Sequence, residues 1–477
     1  MTRSTSASAS PGDLQSRLAA IVGEKHVIAD PADMAPYLVE PRDLFKGKAR
    51  CVVRPATTAE VAAIVALCAE TGTPLVPQGG NTGLVGGQVP FETGDEIVLS
   101  LVRLNKLREI DLASNTMTVE AGMTLAQVQS EAEAAGRYFP LSLASEGSCT
   151  IGGNLATNAG GTAVIAYGNA RELVLGIEAV LADGRILSNL SKLRKDNTGY
   201  DLKHLFMGSE GTLGIITAAV LKLYPRPVAF ATAFAGLEDP RHALQFLTLA
   251  QHMAGSEIKT FELIPRIGID WVHRYMDRVR DPLPEAAPWY VLIELASQSD
   301  GLTERLLALL EQAQEDRIII DAAVANSLEQ RKEFWRIREL LPEVQGREGG
   351  SIKHDVSVPI AAVPAFIDEV EAALSAAAPG SRLFAFGHLG DGNIHCNLSQ
   401  PRGADKAAFI ARWGEINAIV HGIVARHHGS ISAEHGIGRL KRELLPGVKD
   451  PVALDVMRAL KRTLDPKGIL NPGKVLD

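Results

Sequence analysis

Three separated segments rich in glycine and small polar residues constrain this chain more than any other feature: PQGGNTGLVGG (77–87), GSCTIGGNLATNAGG (147–161) and GSEGTLGIIT (208–217). Glycine lets a backbone approach a ligand closely and reach positive φ. Consecutive backbone N–H groups in such turns form anion-binding concavities, and the neighbouring Thr, Ser and Asn add hydroxyl and amide donors. One loop of this kind reads as an ordinary tight turn. Three, each after a strand-like run, read as a split site for a pyrophosphate. The first loop lacks Gly-Lys-Ser/Thr, so it is not an NTPase P-loop. It does not read G-x-G-x-x-G, and no acidic residue closes a following βαβ unit, which disfavours a standard dinucleotide fold.

The segments between the loops alternate strand and helix. RCVVRP (50–55) and TPLVPQ (73–78) read as short strands. Between them, TTAEVAAIVALCAETG (57–72) has a Thr cap, an acid in its first turn, an apolar stripe and a closing Gly. EIVLSLVRL (96–104), TMTVEAGM (116–123), VLGIEAVLADGRIL (174–187) and GIITAAVLKLYP (214–225) are strand-like, and TLAQVQSEAEAAG (124–136) is an amphipathic helix ended by Gly. YPRPVAF (224–230) marks a boundary. Beyond it, helices at 240–253 and 302–315 alternate with strands such as WYVLIELA (289–296), which predicts a second α+β domain. The stretch 405–477 is expected to be mainly helical.

Bulk properties exclude several classes. The 477 residues are enough for two or three domains with a large core. The net charge of −8 argues against a nucleic-acid or anionic-membrane partner, yet an anionic substrate needs only one or two local cations. Cys51, Cys68, Cys149 and Cys396 form no CxxC pair, so reduced thiols in a reducing compartment are expected: the cytoplasm or, for a eukaryotic source, the mitochondrial matrix. No apolar run approaches the roughly 20 residues that span a bilayer. The start, MTRSTSASASPGD, has no apolar core and is not a secretory signal. It reads as a disordered tail, with an organelle-transit segment as the weaker alternative.

A second motif is LFAFGHLGDGNIHCNLS (383–399), with strand-like residues on both sides of GDGN (390–393). If those four residues are a hairpin loop, Leu389 pairs with Ile394 and His388 with His395. Directly opposed residues share a face with Cβ atoms about 4.5–5.5 Å apart, so the two imidazoles could clamp one metal ion. Asn397 shares that face with His395. A lone His is more often a hydrogen-bonded structural residue, and the pairing across the turn is what raises these two. A third ligand is sought in ISAEHGIG (431–438), where Glu434 and His435 sit beside two glycines. Two His and one carboxylate leave coordination positions open for substrate. The vicinal pair His427-His428 reads instead as a helix end complementing its dipole.

PQGGNTGLVGG, SCTIGGNLATNAGG, NTGYDLKHLFMGSEGTLGIIT (197–217) and NPGK (471–474) together resemble the vanillyl-alcohol-oxidase-type (PCMH-type) FAD-binding family. The likeness covers nearly the whole chain and is greatest to the D-2-hydroxyacid dehydrogenases, above all the D-2-hydroxyglutarate dehydrogenases. It implies an α+β fold with a two-subdomain FAD-binding domain, a ferredoxin-like substrate (cap) domain and a helical C-terminal segment. The corresponding boundaries are 1–45 for a tail and helical lead-in, 46–226 for the FAD domain, 227–425 for the cap domain with the metal hairpin, and 426–477 for a segment returning to the flavin.

By that resemblance Pro77, Gly79, Gly80, Asn81, Thr82, Gly83 and Leu84 would wrap the pyrophosphate. Gly147, Ser148, Ile151, Gly152, Gly153, Asn154, Thr157 and Asn158 would line the other side of the FAD. Gly211 and Ile216 would approach the adenine end, and Asn471 the flavin. The first loop has no His or Cys, so a non-covalent cofactor is expected. The resemblance also implies zinc on His388, His395 and Glu434, and His435 as the catalytic base. Manganese, cobalt or iron would suit the same ligands.

Flavin chemistry on an alcohol requires the hydroxyl proton to be removed and a hydride delivered to flavin N5. A divalent ion acidifies the hydroxyl, and a His takes the proton near neutral pH. In FWRIRELLPEV (334–344) and GGSIKHDVSVP (349–359), Arg338 could fork onto a carboxylate and Lys353 supply a second cation. The resemblance gives both to the substrate, and two cations suit a dicarboxylate. The expected reaction is therefore D-2-hydroxyglutarate to 2-oxoglutarate, with D-malate as a secondary substrate. The family's Thr four residues after the Arg is here Pro342. The competing readings are a D-lactate or glycolate dehydrogenase of the same family and a non-catalytic flavin-binding redox scaffold. The family's electron acceptors are an electron-transfer flavoprotein or a quinone, and a homodimer is common at this size.

Overall fold

Local signals in the chain set the first elements. Thr57 Oγ1 accepts the Glu60 N–H at 3.1 Å, and Gly72 closes the helix Thr58–Thr71 in the left-handed conformation. Helix Leu125–Ala134 starts with a reciprocal capping box between Thr124 and Gln127. The computed structural model describes residues 11–476, so the expectations for residues 1–10 of the N-terminal tail lie outside the described residues, while the last three residues of that stretch open the helix Pro11–Val22. The chain forms two units: residues up to 159 with 169–225 and 434–477, and residues 160–168 with 226–433.

The first unit holds two larger sheets besides a two-stranded pairing of Arg137–Tyr138 with Tyr224–Pro225. Strands β1 (Val27–Ile28), β2 (Val52–Val53), β3 (Leu75–Gln78) and β4 (Ile97–Ser100) form one, in the order β1-β2-β4-β3 with β2 and β3 parallel to β4. The other is antiparallel: β5 (Leu107–Asp111), β6 (Thr116–Glu120), β7 (Val174–Val180), β8 (Ile186–Asn189) and β9 (Ile215–Lys222), in the order β5-β6-β9-β7-β8. VLGIEAVLADGRIL is thus two strands joined at Gly184, whose φ of +85° makes the turn. Helix Thr58–Thr71 sits over a core of Val61, Ile64, Leu75, Ile97, Leu99 and Leu470, all fully buried. Glu178 ties that helix to the second sheet by accepting from Thr58, Thr217 and Arg108.

The second unit is one eight-stranded sheet. Its strands are β10 (Ala229–Leu237), β11 (Ile258–Pro265), β12 (Trp289–Ser297), β13 (Asp321–Val324), β14 (Ser351–Ile352), β15 (Asp355–Ser357), β16 (Arg382–His388) and β17 (Asn393–Ser399). The order is β13-β10-β12-β11-β16-β17-β14, with β15 also on β17. β14 and β15 are therefore one edge strand interrupted at Lys353 and His354. Helices Arg266–Tyr275 and Leu328–Arg347 bury Trp271, Ile337 and Leu341 against Phe384 and Phe386. Pro342 lies inside the second of these helices.

The C-terminal stretch is mainly helical, as its sequence suggests, with one long break. Helices Lys406–Ala411, Trp413–Arg426, Leu445–Val448 and Pro451–Leu464 are present, but residues 427–441 contain neither helix nor strand. The four cysteines are buried and unpaired. Among the described residues, no helix is long and apolar enough to cross a membrane.

Candidate active site

In the first unit the glycine segments meet because only glycine leaves the space. A Cβ on Gly80 would lie 1.8 Å from the Ser148 carbonyl oxygen, and one on Gly79 would lie 2.2 Å from Thr150 Oγ1. A Cβ on Gly211 would reach Pro77 Cγ at 2.4 Å. Gly152 packs in the same way on Ala121. Asn471 closes the set: its Nδ2 donates to Gly87 O (3.0 Å) and Glu210 O (2.8 Å), and its backbone N–H to Leu75 O. Asn81, Asn158, Glu210 and Asn471 all adopt positive φ, marking sharp backbone turns at these loops.

The expected FAD residues divide into two groups. Asn154, Thr157 and Asn158 bond internally, to Cys149 Sγ, Gly153 O and the Arg171 N–H respectively. Ile151 and Ile216 are buried apolar residues, whereas Gly147 and Ser148 are exposed. Pro77, Thr82, Gly83, Leu84 and Gly153 are half-buried along the loops. Asn81 Nδ2 holds Pro36 O and Val39 O. Three buried polar atoms at these loops lack a partner within the protein: Asn81 Oδ1, Thr150 Oγ1 and Asn471 Oδ1. Buried polar groups are almost always hydrogen-bonded. Side-chain-free backbone and unsatisfied polar atoms in one unit fit a large polar cofactor such as FAD.

Glu210, in the third glycine loop, has no expected role from the sequence. Its carboxylate accepts the backbone N–H groups of Ile437 (2.7 Å) and Gly438 (2.9 Å), and so fixes the chain just after Glu434 and His435, both half-buried. Burial pushes its pKa up to about 7, against the lowering effect of those two N–H bonds and Lys441.

In the second unit the hairpin of β16 and β17 brings His388 and His395 together, with a changed register. The loop is Leu389–Gly392, so His388 faces Asn393 and His395 faces Phe386. The direct His388–His395 opposition expected from GDGN is therefore incorrect: the pairing on β17 is two residues earlier than expected. His388 O accepts the N–H groups of Asp391 and Gly392, and the left-handed residue of the turn is Gly392 (φ +81°), so the loop closes one residue earlier. The two imidazoles are diagonal neighbours on one face, with ring centroids 5.7 Å apart and ligand atoms within 4.8 Å.

A carboxylate that the sequence did not reveal organises this face. Glu262 on β11 pairs in register with His388. Its Oε1 lies 2.6 Å from His388 Nδ1, and its Oε2 accepts from Arg338 Nε at 2.6 Å. Glu262 is fully buried. Burial would raise its pKa, but the charges of His388 and Arg338 beside it draw it down to about 2. Arg338, itself buried, also stacks over Phe386 at 5.0 Å. On the opposite side of β17, Asp355 pairs with His395, their Oδ1 and Nδ1 3.9 Å apart.

Asn397 is buried, accepting from the His354 N–H and donating to Gln345 Oε1. Lys353 is exposed at the break between β14 and β15. His427 bonds Glu369 at 2.8 Å at the end of helix Trp413–Arg426, as expected of a structural His. Two imidazoles with a buried carboxylate behind one of them are a donor set that fits a divalent ion.

Comparison with known proteins supports the FAD-binding reading. Residues 49–189 match the FAD binding domain family, and residues 226–475 match the FAD linked oxidases, C-terminal domain. The chain is 38% identical to the mitochondrial D-2-hydroxyglutarate dehydrogenase of Arabidopsis thaliana, over 96% of this chain and 80% of that protein. It is 40% identical to the Bos taurus enzyme of the same name (94% and 81% covered) and 36% identical to one from Xanthomonas citri (94% and 93%). Among solved structures, p-cresol methylhydroxylase aligns with a TM-score of 0.76 at 16% identity, over 98% of this chain and 97% of that one. The 4-ethylphenol oxidase of Gulosibacter chungangensis aligns at 0.74 and 19%, over 99% and 98%. By the match of both domains and by its fold, the chain belongs to the FAD-linked oxidases.

Proposed function

We propose that the protein oxidises a D-2-hydroxy acid, preferentially D-2-hydroxyglutarate to 2-oxoglutarate, using non-covalent FAD and a divalent metal, zinc. The observation that carries this reading is the buried chain His388–Glu262–Arg338 beside His395. It joins two metal-type ligands to a carboxylate-binding cation, in a chain 38% identical to a D-2-hydroxyglutarate dehydrogenase.

FAD, when bound, supplies the acceptor for the hydride that leaves C2. The metal supplies Lewis acidity toward the substrate hydroxyl and carboxylate. The protein holds and orients the substrate and moves the proton. His388 and His395 are the metal ligands, with Glu434 as the third. The path of the chain supports Glu434: the N–H of Ala433, the residue before it, bonds Asp355 O. His435 takes the hydroxyl proton, a task an imidazole suits near neutral pH. Glu210 supports this role by fixing the backbone that follows it. Arg338 binds one substrate carboxylate and Lys353 the other. Asn397 keeps one amide hydrogen for the substrate after its bond to Gln345. Pro342 offers no hydroxyl one turn from Arg338, so dicarboxylate recognition rests on the two cations.

The test is flavin reduction. The purified protein should be yellow and should bleach anaerobically on addition of D-2-hydroxyglutarate, and EDTA should abolish the bleaching. A colourless protein overturns the reading, and a yellow one that no 2-hydroxy acid bleaches indicates a non-catalytic flavin protein. Lys353→Ala should raise KM for D-2-hydroxyglutarate at least tenfold while leaving D-lactate turnover nearly unchanged. Equal effects on both would sink the dicarboxylate assignment.

A further inference from the structure

We infer that Glu262 is the positioning residue that couples the proposed metal ligand to the proposed substrate cation, one carboxylate oxygen fixing the ring of His388 and the other fixing the guanidinium of Arg338. The inference rests on the function proposed above.

Three observations support it. The contacts are divided, Oε1 to His388 Nδ1 and Oε2 to Arg338 Nε, each at 2.6 Å, so neither partner can move without disturbing the other. The carboxylate is fully buried and Arg338 nearly so, so water cannot substitute for either partner. Register puts Glu262 directly across from His388, with β11 and β16 holding the pair at fixed spacing.

The chemistry follows from donor and acceptor inventories. An ionised carboxylate only accepts, so His388 must carry its proton on Nδ1. That leaves the Nε2 lone pair for a metal, and the negative charge behind the ring raises its basicity. Arg338 gives its Nε–H to Glu262, which leaves the two terminal nitrogens as a fork for a carboxylate. One residue thereby sets both the His388 tautomer and the direction of the substrate-binding fork.

The experiment uses the FAD-loaded, metal-free protein titrated with Zn(II) against a chromophoric chelator, alongside KM for D-2-hydroxyglutarate. Glu262→Gln keeps the shape but introduces a donor. If its amide faces His388, it donates to Nδ1 and forces the imidazole proton onto Nε2, removing the metal's lone pair. If it faces Arg338, two donors oppose each other. The expected result is Zn(II) affinity about 10–100-fold weaker together with a raised KM. Wild-type Zn(II) affinity in a folded Glu262→Gln protein overturns the inference. A purely structural role would lower the unfolding temperature of the variant without changing the affinity of its folded fraction, and that result also overturns it. Should Glu262→Gln not fold, Glu262→Asp decides. Its shorter carboxylate must release one partner, so unchanged Zn(II) affinity with unchanged KM overturns the inference. Failure of the wild-type protein to bind Zn(II) overturns the proposed function instead.

Discussion

A buried carboxylate such as Glu210 makes stability depend on pH in a direction that can be worked out. Burial raises its pKa to about 7 from an ordinary 4.5. Between those values the folded protein keeps a proton that the unfolded chain releases, so stability must fall as pH rises through that window. The full effect is roughly 3 kcal/mol at about 1.4 kcal/mol per unit. Glu210→Gln removes the titration, so wild type should lose stability relative to the variant between pH 4.5 and 7.5 in urea unfolding. A constant difference across that range would show that Glu210 does not titrate there. Residues of this kind were not legible in the sequence. His388 and His395 were found because histidines flanking a glycine turn in apolar strands are conspicuous. Glu262 sits in the unremarkable strand run IKTFELIP, and its partners are 76 and 126 residues away. Glu210 sits in a loop already explained by its glycines, and its partners lie more than 220 residues on.

Elements with local signals were legible, and those set by tertiary contact were not. The capped helices Thr58–Thr71 and Leu125–Ala134 follow from Thr, Gln and Gly at their ends. The hairpin loop was expected one residue too late, which puts the pairing two residues off, because GDGN offers two glycines and the sequence does not say which one turns the chain. Gly392, which does so, is also closely packed against a distant segment: a Cβ there would lie 2.2 Å from Val358 O. Gly392→Ala should therefore destabilise the second unit by about 1–3 kcal/mol and weaken Zn(II) binding by displacing His388. Gly136→Ala is the control, since Gly136 also has positive φ (+68°) but open space around it. That change should cost only about 1 kcal/mol and leave Zn(II) binding unchanged. Equal effects of the two substitutions in chemical denaturation would remove the steric argument. In the first unit Gly80→Ala should push the first two glycine loops apart, and the protein should purify with little flavin absorbance.

At the scale of the whole molecule, the chain completes its first unit only with its last residues. Leu470 bridges Leu75 in parallel, Leu75 donates to Ile469 O, and Asn471 donates back to Leu75 O. The sequence pointed to NPGK as a cofactor segment but gave no sign of what Lys474 does. Its ammonium is fully buried, 2.9 Å from Glu96 Oε1 and 4.2 Å from the Phe91 ring, joining positions 378 residues apart. Burial lowers the Lys474 pKa to about 8, with Glu96 opposing the shift. Such a pair adds little net stability over an apolar replacement, but removing one partner strands the other charge in the interior. Glu96 Oε2 also accepts the Phe91 N–H, so the carboxylate cannot turn out to water without losing that bond. Lys474→Met should consequently destabilise the first unit by about 3–5 kcal/mol and release FAD at a lower temperature. Adding Glu96→Gln removes the stranded charge and keeps an acceptor for Phe91, so the double variant should recover more than half of the loss. A Lys474→Met protein as stable as wild type would mean that Glu96 is neutral or hydrated in its place. A double variant no better than the single would mean that Lys474 closes the unit through packing on Phe91 rather than through its charge.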